Sequence, residues 1–242
     1  MTKQYPQQTG TYLVKVSARQ STDHWQDFNT ARLQISVGQE YHEGDKFSSL
    51  INWCKGRFDK LVICVNDTLQ RFNIMFEELL EEELAENRAI GLGREWIDRV
   101  RPIISGIEDV SLVRWNEWKA NKEFTKGRLS TEWLYSKNNE FRGAIDSNIE
   151  AIWKRRKSVK SELYKDKGFE NFQKLSRQYL LEETAVFSMM YEKEKAIDIY
   201  PGTTLFAATL FKDRNVYEAL VGLGKGHFCR IDFKKNRSFG LN

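Results

Sequence analysis

The run Leu61-Val62-Ile63-Cys64-Val65 restricts the fold of this chain more than any other stretch. It is continuously apolar and rich in β-branched residues, and Asn66-Asp67 ends it. This is the pattern of a short strand buried on both faces. Such a strand needs other elements layered over it on each side, so the expectation is an α/β fold with a mainly parallel sheet flanked by helices. The preceding residues agree. Leu33, Ile35 and Val37 alternate with Gln34 and Ser36 as a second strand. Between the two strands Phe47, Leu50, Ile51, Cys54 and Phe58 recur at helical spacing, with Asp45 as the N-cap. Strand, helix and strand in succession imply a right-handed parallel βαβ unit. That unit brings Ser36 and Asn66 to the carboxyl ends of two strands on one edge of the sheet, where open α/β sheets hold their ligands.

The rest of the chain extends the pattern. A first strand is predicted over Thr11–Val16. A long helical stretch covers roughly residues 67–105, with an interruption near Gly91-Leu92-Gly93. Further strands are predicted over Val110–Trp115, Ala196–Tyr200 (stopped by Pro201-Gly202) and His227–Phe233, with helix over most of 131–192 and around Val216–Val221. Gly222-Leu223-Gly224-Lys225-Gly226 lacks the spacing and the trailing Ser/Thr of a phosphate-binding loop and reads as a turn. No repeat, low-complexity segment or linker divides residues 1–242, which read as a single domain of a size that buries one sizeable core.

Composition excludes several classes. Charged residues are 30% of the chain, mean hydropathy is −0.59, and no apolar run approaches a membrane span. The N-terminus has no signal-peptide core, and Cys54, Cys64 and Cys229 read as buried free thiols, so a cytoplasmic protein is expected. His24, His42 and His227 do not cluster as zinc ligands, so no structural metal is expected. The net charge of +4 is small but unevenly spread. Residues 77–86 read as an acidic helix. Lys154, Arg155, Arg156, Lys157 and Lys160 form a basic helical cluster, and Arg88, Arg94, Arg99 and Arg101 a looser one. Such runs are either solvated faces or contacts for a polyanion.

Candidate chemistry comes from two distant stretches. On the helix expected from Gly168 to Tyr191, Phe172, Leu175, Tyr179, Val186 and Met190 share one face, and Glu183 projects near its centre. Glu182 lies about a quarter turn away on the same geometry. A carboxylate on a core-facing stripe is costly to bury unless something uses it, and its pKa is then open to tuning. The alternatives are pairing with an internal Arg or Lys, or an exposed helix end. Ser36 is either a satisfied strand-end hydroxyl or a nucleophile. It does not sit in a Gly-x-Ser-x-Gly elbow, which argues against a serine esterase, and closeness in sequence makes only a weak pair with His42. A serine, a glutamate and phenols, with no histidine among them, suit acyl transfer from an ester that is already activated.

Ser36 after an alternating strand, the Phe58–Asp67 block, Tyr179-Leu180-Leu181-Glu182-Glu183 and then Tyr200 resemble, in order and separation, the cyclodipeptide synthases. The resemblance extends over about residues 28–205. Gln39 and Tyr200-Pro201 are similar to the family's second subgroup, which lacks an Asn found in the commoner pattern and carries Tyr-Pro. Thr30, Gln34 and Ala185 also replace that pattern's His, Gly and Pro. The resemblance implies a Rossmann-like domain similar to the catalytic domain of class I tyrosyl- and tryptophanyl-tRNA synthetases. It implies two aminoacyl-tRNAs as substrates, no cofactor, a monomer, and a diketopiperazine product. Ser36 would be the nucleophile, Tyr179 and Glu183 would hold the first amino group, and Tyr200 would lie near the serine. Leu33, Gln34, Gln39 and Val65 would contact substrate, and the two basic clusters would hold tRNA phosphates. The alternative is a non-catalytic RNA-binding module with a synthetase-like fold.

Overall fold

The computed structural model describes residues 10–17, 21, 24–201 and 218–236. Its strands are β1 (Tyr12–Val16), β2 (Thr30–Ile35), β3 (Lys60–Val65), β4 (Val110–Arg114), β5 (Ile197–Pro201) and β6 (His227–Lys235). Helices α1 (Gly44–Cys54), α2 (Arg71–Glu78), α3 (Glu82–Ile104) and α4 (Trp115–Lys119) come before the large helical block. That block is α5 (Lys122–Lys137), α6 (Asn139–Val159), α7 (Ser161–Tyr164) and α8 (Phe169–Lys193).

All six strands form one sheet in the order β1-β6-β5-β2-β3-β4. The pairings of β6, β5, β2, β3 and β4 are parallel, and only β1 runs antiparallel, against β6. The sheet is therefore mainly parallel and covered on both faces. Ala31, Leu33, Ile35, Leu61, Ile63, Val65, Ile197 and Ile199 face one way and pack with Phe47, Leu50 and Ile51 of α1 and Trp96 and Val100 of α3. Val62 and Cys64 face the other way, into a second core built from α2, α4, α5, α6 and α8. Each buried Val, Leu, Ile or Phe side chain among them contributes about 1.5–3 kcal/mol. Cys54, Cys64 and Cys229 are free and buried.

β2 continues through α1 to β3 on one side, while β5 pairs with β2 on the other. The strand order thus reverses between β2 and β5, and a crevice opens beyond their carboxyl ends. Ser36 is the first residue past β2, and Tyr200 is the penultimate residue of β5.

Several local expectations change. No side chain caps α1: Glu43 holds the cap position, Asp45 lies in the first turn, and Phe58 falls beyond the helix end. The helical stretch breaks at Leu79, in the left-handed region at φ 57°, and runs unbroken through Gly91 and Gly93. Gly93 is there because α3 presses on Asp67. A Cβ at that position would lie 2.6 Å from Asp67 Cβ. The acidic run 77–86 is therefore split between α2 and α3. Gly222 to Lys225 belong to a 3-10 segment, Glu218–Lys225, rather than to an open turn, while the beginning of the helix expected from Val216 lies outside the described residues.

Candidate active site

Ser36 reaches the crevice because strand alternation points it to the same side as Arg32 and Gln34, the side covered by α8. Gln39 N donates to Ser36 O over 3.3 Å, closing a tight turn in which Gly38 adopts φ 83°. The chain then enters a 3-10 turn, Glu40–His42, which aims Tyr41 and His42 back at the serine. Ser36 Oγ lies 3.2 Å from Tyr200 Oη, and Tyr200 Oη lies 2.7 Å from Tyr41 Oη. Three hydroxyls thus form a chain. Burial raises the pKa of both phenols, so each keeps its proton and can pass hydrogen bonds along the chain.

A histidine is present after all, but it does not act on the hydroxyl. His42 Nδ1 lies 3.0 Å from Ser36 N and 3.2 Å from Ser36 O, so its ring is committed to the serine's backbone. Complete burial pushes its pKa down to about 3, which keeps the ring neutral. Trp96 Nε1 donates to His42 O over 2.9 Å and fixes the turn from below.

α8 supplies the opposite wall. From Leu180 to Tyr191 every residue is buried, because α8 lies between the sheet and the other helices. Glu182 and Glu183 are therefore both buried, and the quarter turn between them decides their surroundings rather than their exposure. Glu182 takes Arg71 through both oxygens at 2.9 and 2.5 Å and also accepts from Trp115 Nε1 at 2.8 Å. The internal arginine pairing considered for Glu183 belongs to its neighbour. Glu183 faces the crevice with Tyr179 one turn earlier, and desolvation raises its pKa to about 8. Tyr179 is held well above the usual phenol range by burial and by the nearby Glu183.

Ser36, Gln39, Tyr41, Tyr179, Glu183 and Tyr200 line one cavity of about 900 Å³. Its far wall carries Gln70 and Asn73, beside Arg155, Arg156 and Lys160 of the basic cluster. Gln70 Nε2 donates to Tyr179 Oη at 3.4 Å, Asn73 Nδ2 to Gln70 Oε1 at 2.7 Å, and Arg156 Nη1 to Asn73 Oδ1 at 3.0 Å. Tyr41, His42, Gln70 and Asn73 carried no periodic or motif signal in the sequence.

Three expected substrate contacts are not brought to the cavity. Leu33 and Val65 are fully buried in the core on the opposite face of the sheet, because strand alternation turns them away from Ser36. Gln34 points to the correct side but is fully buried, where its Nε2 donates to Asp198 Oδ1 at 2.8 Å beside the Arg32–Asp198 pair. Among these four, only Gln39 lines the cavity.

The basic residues divide as well. Arg155, Arg156 and Lys160 face the cavity, with Lys160 held by Glu77 at 3.1 Å. Lys154 pairs with Glu150 at 3.9 Å on the outside, and Lys157 packs over Trp153. On α3 the buried stripe is Ala85, Ala89, Gly93, Trp96 and Val100. At about 100° per residue, Arg88 and Arg99 flank that stripe and Arg94 and Arg101 lie opposite it, so the looser cluster is spread over two sides. Arg88, Arg99 and Arg101 already pair with Glu78, Glu43 and Asp98.

No protein-family model and no curated protein sequence matches the chain. Solved structures do match. A cyclodipeptide synthase from Fluoribacter dumoffii has a TM-score of 0.81 at 23% identity, covering 93% of this chain and 100% of that one. One from Candidatus Glomeribacter gigasporarum, bound to Phe-tRNAPhe, has a TM-score of 0.66 at 21% identity, over 88% of this chain and 92% of that one. A Mycobacterium tuberculosis protein, whose structure relates cyclodipeptide synthetases to type I tRNA synthetases, has a TM-score of 0.64 at 11% identity, over 98% and 99%. At these identities the likeness is one of fold.

Proposed function

We propose that this chain is a tRNA-dependent cyclodipeptide synthase working through an aminoacyl-serine. The observation that carries the reading is the convergence of Ser36, Tyr200, Tyr41, Tyr179 and Glu183 on one cavity at the switch point of the sheet. The fold shared along nearly the whole chain with cyclodipeptide synthases supports it. Gln39 and Tyr200-Pro201 support the subgroup that carries Tyr-Pro.

Ser36 Oγ attacks the ester carbonyl of the first aminoacyl-tRNA. The serine–acyl bond forms, the bond to the terminal ribose oxygen breaks, and the serine proton passes through the Tyr200–Tyr41 hydroxyls to the departing ribose oxygen. Tyr200 suits this role because it stays protonated and touches Oγ. The amine of a second aminoacyl-tRNA then attacks the seryl ester, freeing Ser36 and giving a dipeptidyl-tRNA. Its terminal amine closes on the remaining ester and expels the second tRNA. Both esters arrive activated, so no nucleotide is consumed.

Glu183 and Tyr179 hold the amino group of the first residue. In the empty cavity Glu183 takes up a proton easily, with a pKa of about 8, and an arriving ammonium favours its charged form. It can therefore accept the proton that an amine must lose before it attacks. Arg155 and Lys160 stand at the wall where the phosphates of a tRNA 3′ end would pass.

The test is expression in bacteria with mass spectrometry of the medium, together with incubation of purified protein with radiolabelled aminoacyl-tRNA. Diketopiperazines, and label retained through denaturation, are expected from wild type and not from Ser36→Ala. Salt-sensitive tRNA binding without retained label would instead establish the non-catalytic RNA-binding alternative.

A further inference from the structure

The two amides between Arg156 and Tyr179 form a line of hydrogen bonds with a direction. An arginine guanidinium has donors only, so the atom of Asn73 that meets Arg156 Nη1 at 3.0 Å must be its oxygen. The amide nitrogen of Asn73 is then turned to Gln70, 2.7 Å away, and must meet the Gln70 oxygen. That leaves the Gln70 nitrogen facing Tyr179 Oη at 3.4 Å as a donor. The tyrosine oxygen therefore receives this bond, and its own hydrogen is free to point into the cavity. Arg156 is itself held in place, with Glu77 Oε1 at 3.4 Å and Tyr164 Oη at 3.3 Å.

We infer that Arg156, Asn73 and Gln70 are positioning residues that set the polarity of Tyr179, so that its one hydroxyl hydrogen donates into the cavity, toward the substrate amino group. The inference rests on the cyclodipeptide synthase reading for what Tyr179 meets, but not for the direction of the line. It also separates neighbours in the basic cluster. Arg156 is turned inward to orient two amides, whereas Arg155 and Lys160 line the cavity wall, Lys160 in its pair with Glu77. Once Glu183 has taken the ammonium proton, a donating Tyr179 holds the neutral amine by its lone pair, and that bond opens when the amine attacks an ester.

Asn73→Asp is the discriminating variant. It preserves shape and keeps an acceptor for Arg156, but presents a second acceptor to Gln70. The Gln70 amide must then reverse, its oxygen facing Tyr179, and the tyrosine hydrogen is drawn away from the cavity. The expected result is a single-turnover acylation rate lowered about ten- to a hundredfold, the loss of one well-oriented hydrogen bond, with KM for aminoacyl-tRNA nearly unchanged. Arg155→Gln should do the opposite, raising KM and reducing the salt dependence of binding by about one phosphate contact. Arg156→Lys, another donor-only side chain, should retain more activity than Arg156→Gln. An Asn73→Asp protein as fast as wild type, or one in which only KM changes, would overturn the inference. Neutron diffraction from wild-type crystals reads the direction without any turnover. Hydrogens on Gln70 nitrogen facing Tyr179 support the inference, and the Gln70 oxygen in that place refutes it, whether or not the protein proves to make diketopiperazines.

Discussion

Glu182 and Glu183 are adjacent in sequence and equally buried, yet they sit in opposite electrostatic surroundings. Glu182 is clamped by Arg71 and Trp115, and its pKa is lowered by those hydrogen bonds and by the arginine charge despite the desolvation that opposes them. Glu183 has desolvation alone and is pushed up to about 8. One carboxylate holds α2 against α8 and the other is left available for proton exchange in the cavity.

The two should respond differently to truncation. Glu182→Ala leaves the buried Arg71 charge without its main partner and should cost about 3–5 kcal/mol in a urea-denaturation measurement at neutral pH. Glu183→Gln removes no partner and should leave the fold at least as stable as wild type. A Glu182→Ala protein with wild-type stability would show that the clamp does not hold the helices.

Glu183 also predicts a pH dependence. Its folded pKa of about 8 lies above the ordinary value of 4.5, so the folded state binds the extra proton between those limits. Stability from this group is complete below pH 4.5 and is lost as pH rises toward 8. The advantage of Glu183→Gln over wild type should therefore grow between pH 5 and pH 8, to the order of a few kcal/mol, and then level off. Parallel curves for the two proteins would mean that Glu183 is not desolvated.

His42 predicts the reverse slope. Its folded pKa of about 3 lies below the ordinary 6.5, so the unfolded chain binds more protons in this window. The stability it contributes is present above pH 6.5 and declines as the solution is acidified toward pH 3. Replacing it with Gln should flatten that acid limb in a thermal-denaturation series. Acylation rates should show no transition near 6.5 belonging to this histidine.

The hydroxyl chain makes a kinetic prediction. Tyr200→Phe removes the only phenol touching Ser36 Oγ among the described residues, and should slow formation of the aminoacyl-enzyme about ten- to a hundredfold. Tyr41→Phe removes only the second link and should have the smaller effect. The measurement is retained radiolabel against time, and an equal loss in both variants would argue for a packing role.

The sheet and the serine were legible because their signals are local. The short, β-branched Leu61–Val65 run has the pattern of an inner strand, and alternation through Ile35 sets the side on which Ser36 emerges. Glu183 was legible for the same reason, since helical periodicity placed it on a core-facing stripe. Leu33 and Val65 were misassigned because alternation turns them to the α1–α3 side, away from the cavity. Gln34 reads as a substrate contact from sequence because the partner that holds it, Asp198, lies 164 residues further along the chain. Gln70 and Asn73 belong to helical segments whose pattern is already satisfied, and only the approach of α6 and α8 gives their amides a direction.

The antiparallel pairing of β1 with β6 has a consequence for synthesis. Among the described residues β1 pairs with β6 alone, so the first described strand to leave the ribosome finds its partner only when the last described one has been made. Tyr200 and Glu183 likewise follow Ser36 by more than half the chain. A growing polypeptide therefore carries Ser36, the nucleophile of the proposed reaction, without the groups that line the cavity with it. Ser36 stays without its hydroxyl and carboxylate neighbours in the cavity until translation of the sheet is complete.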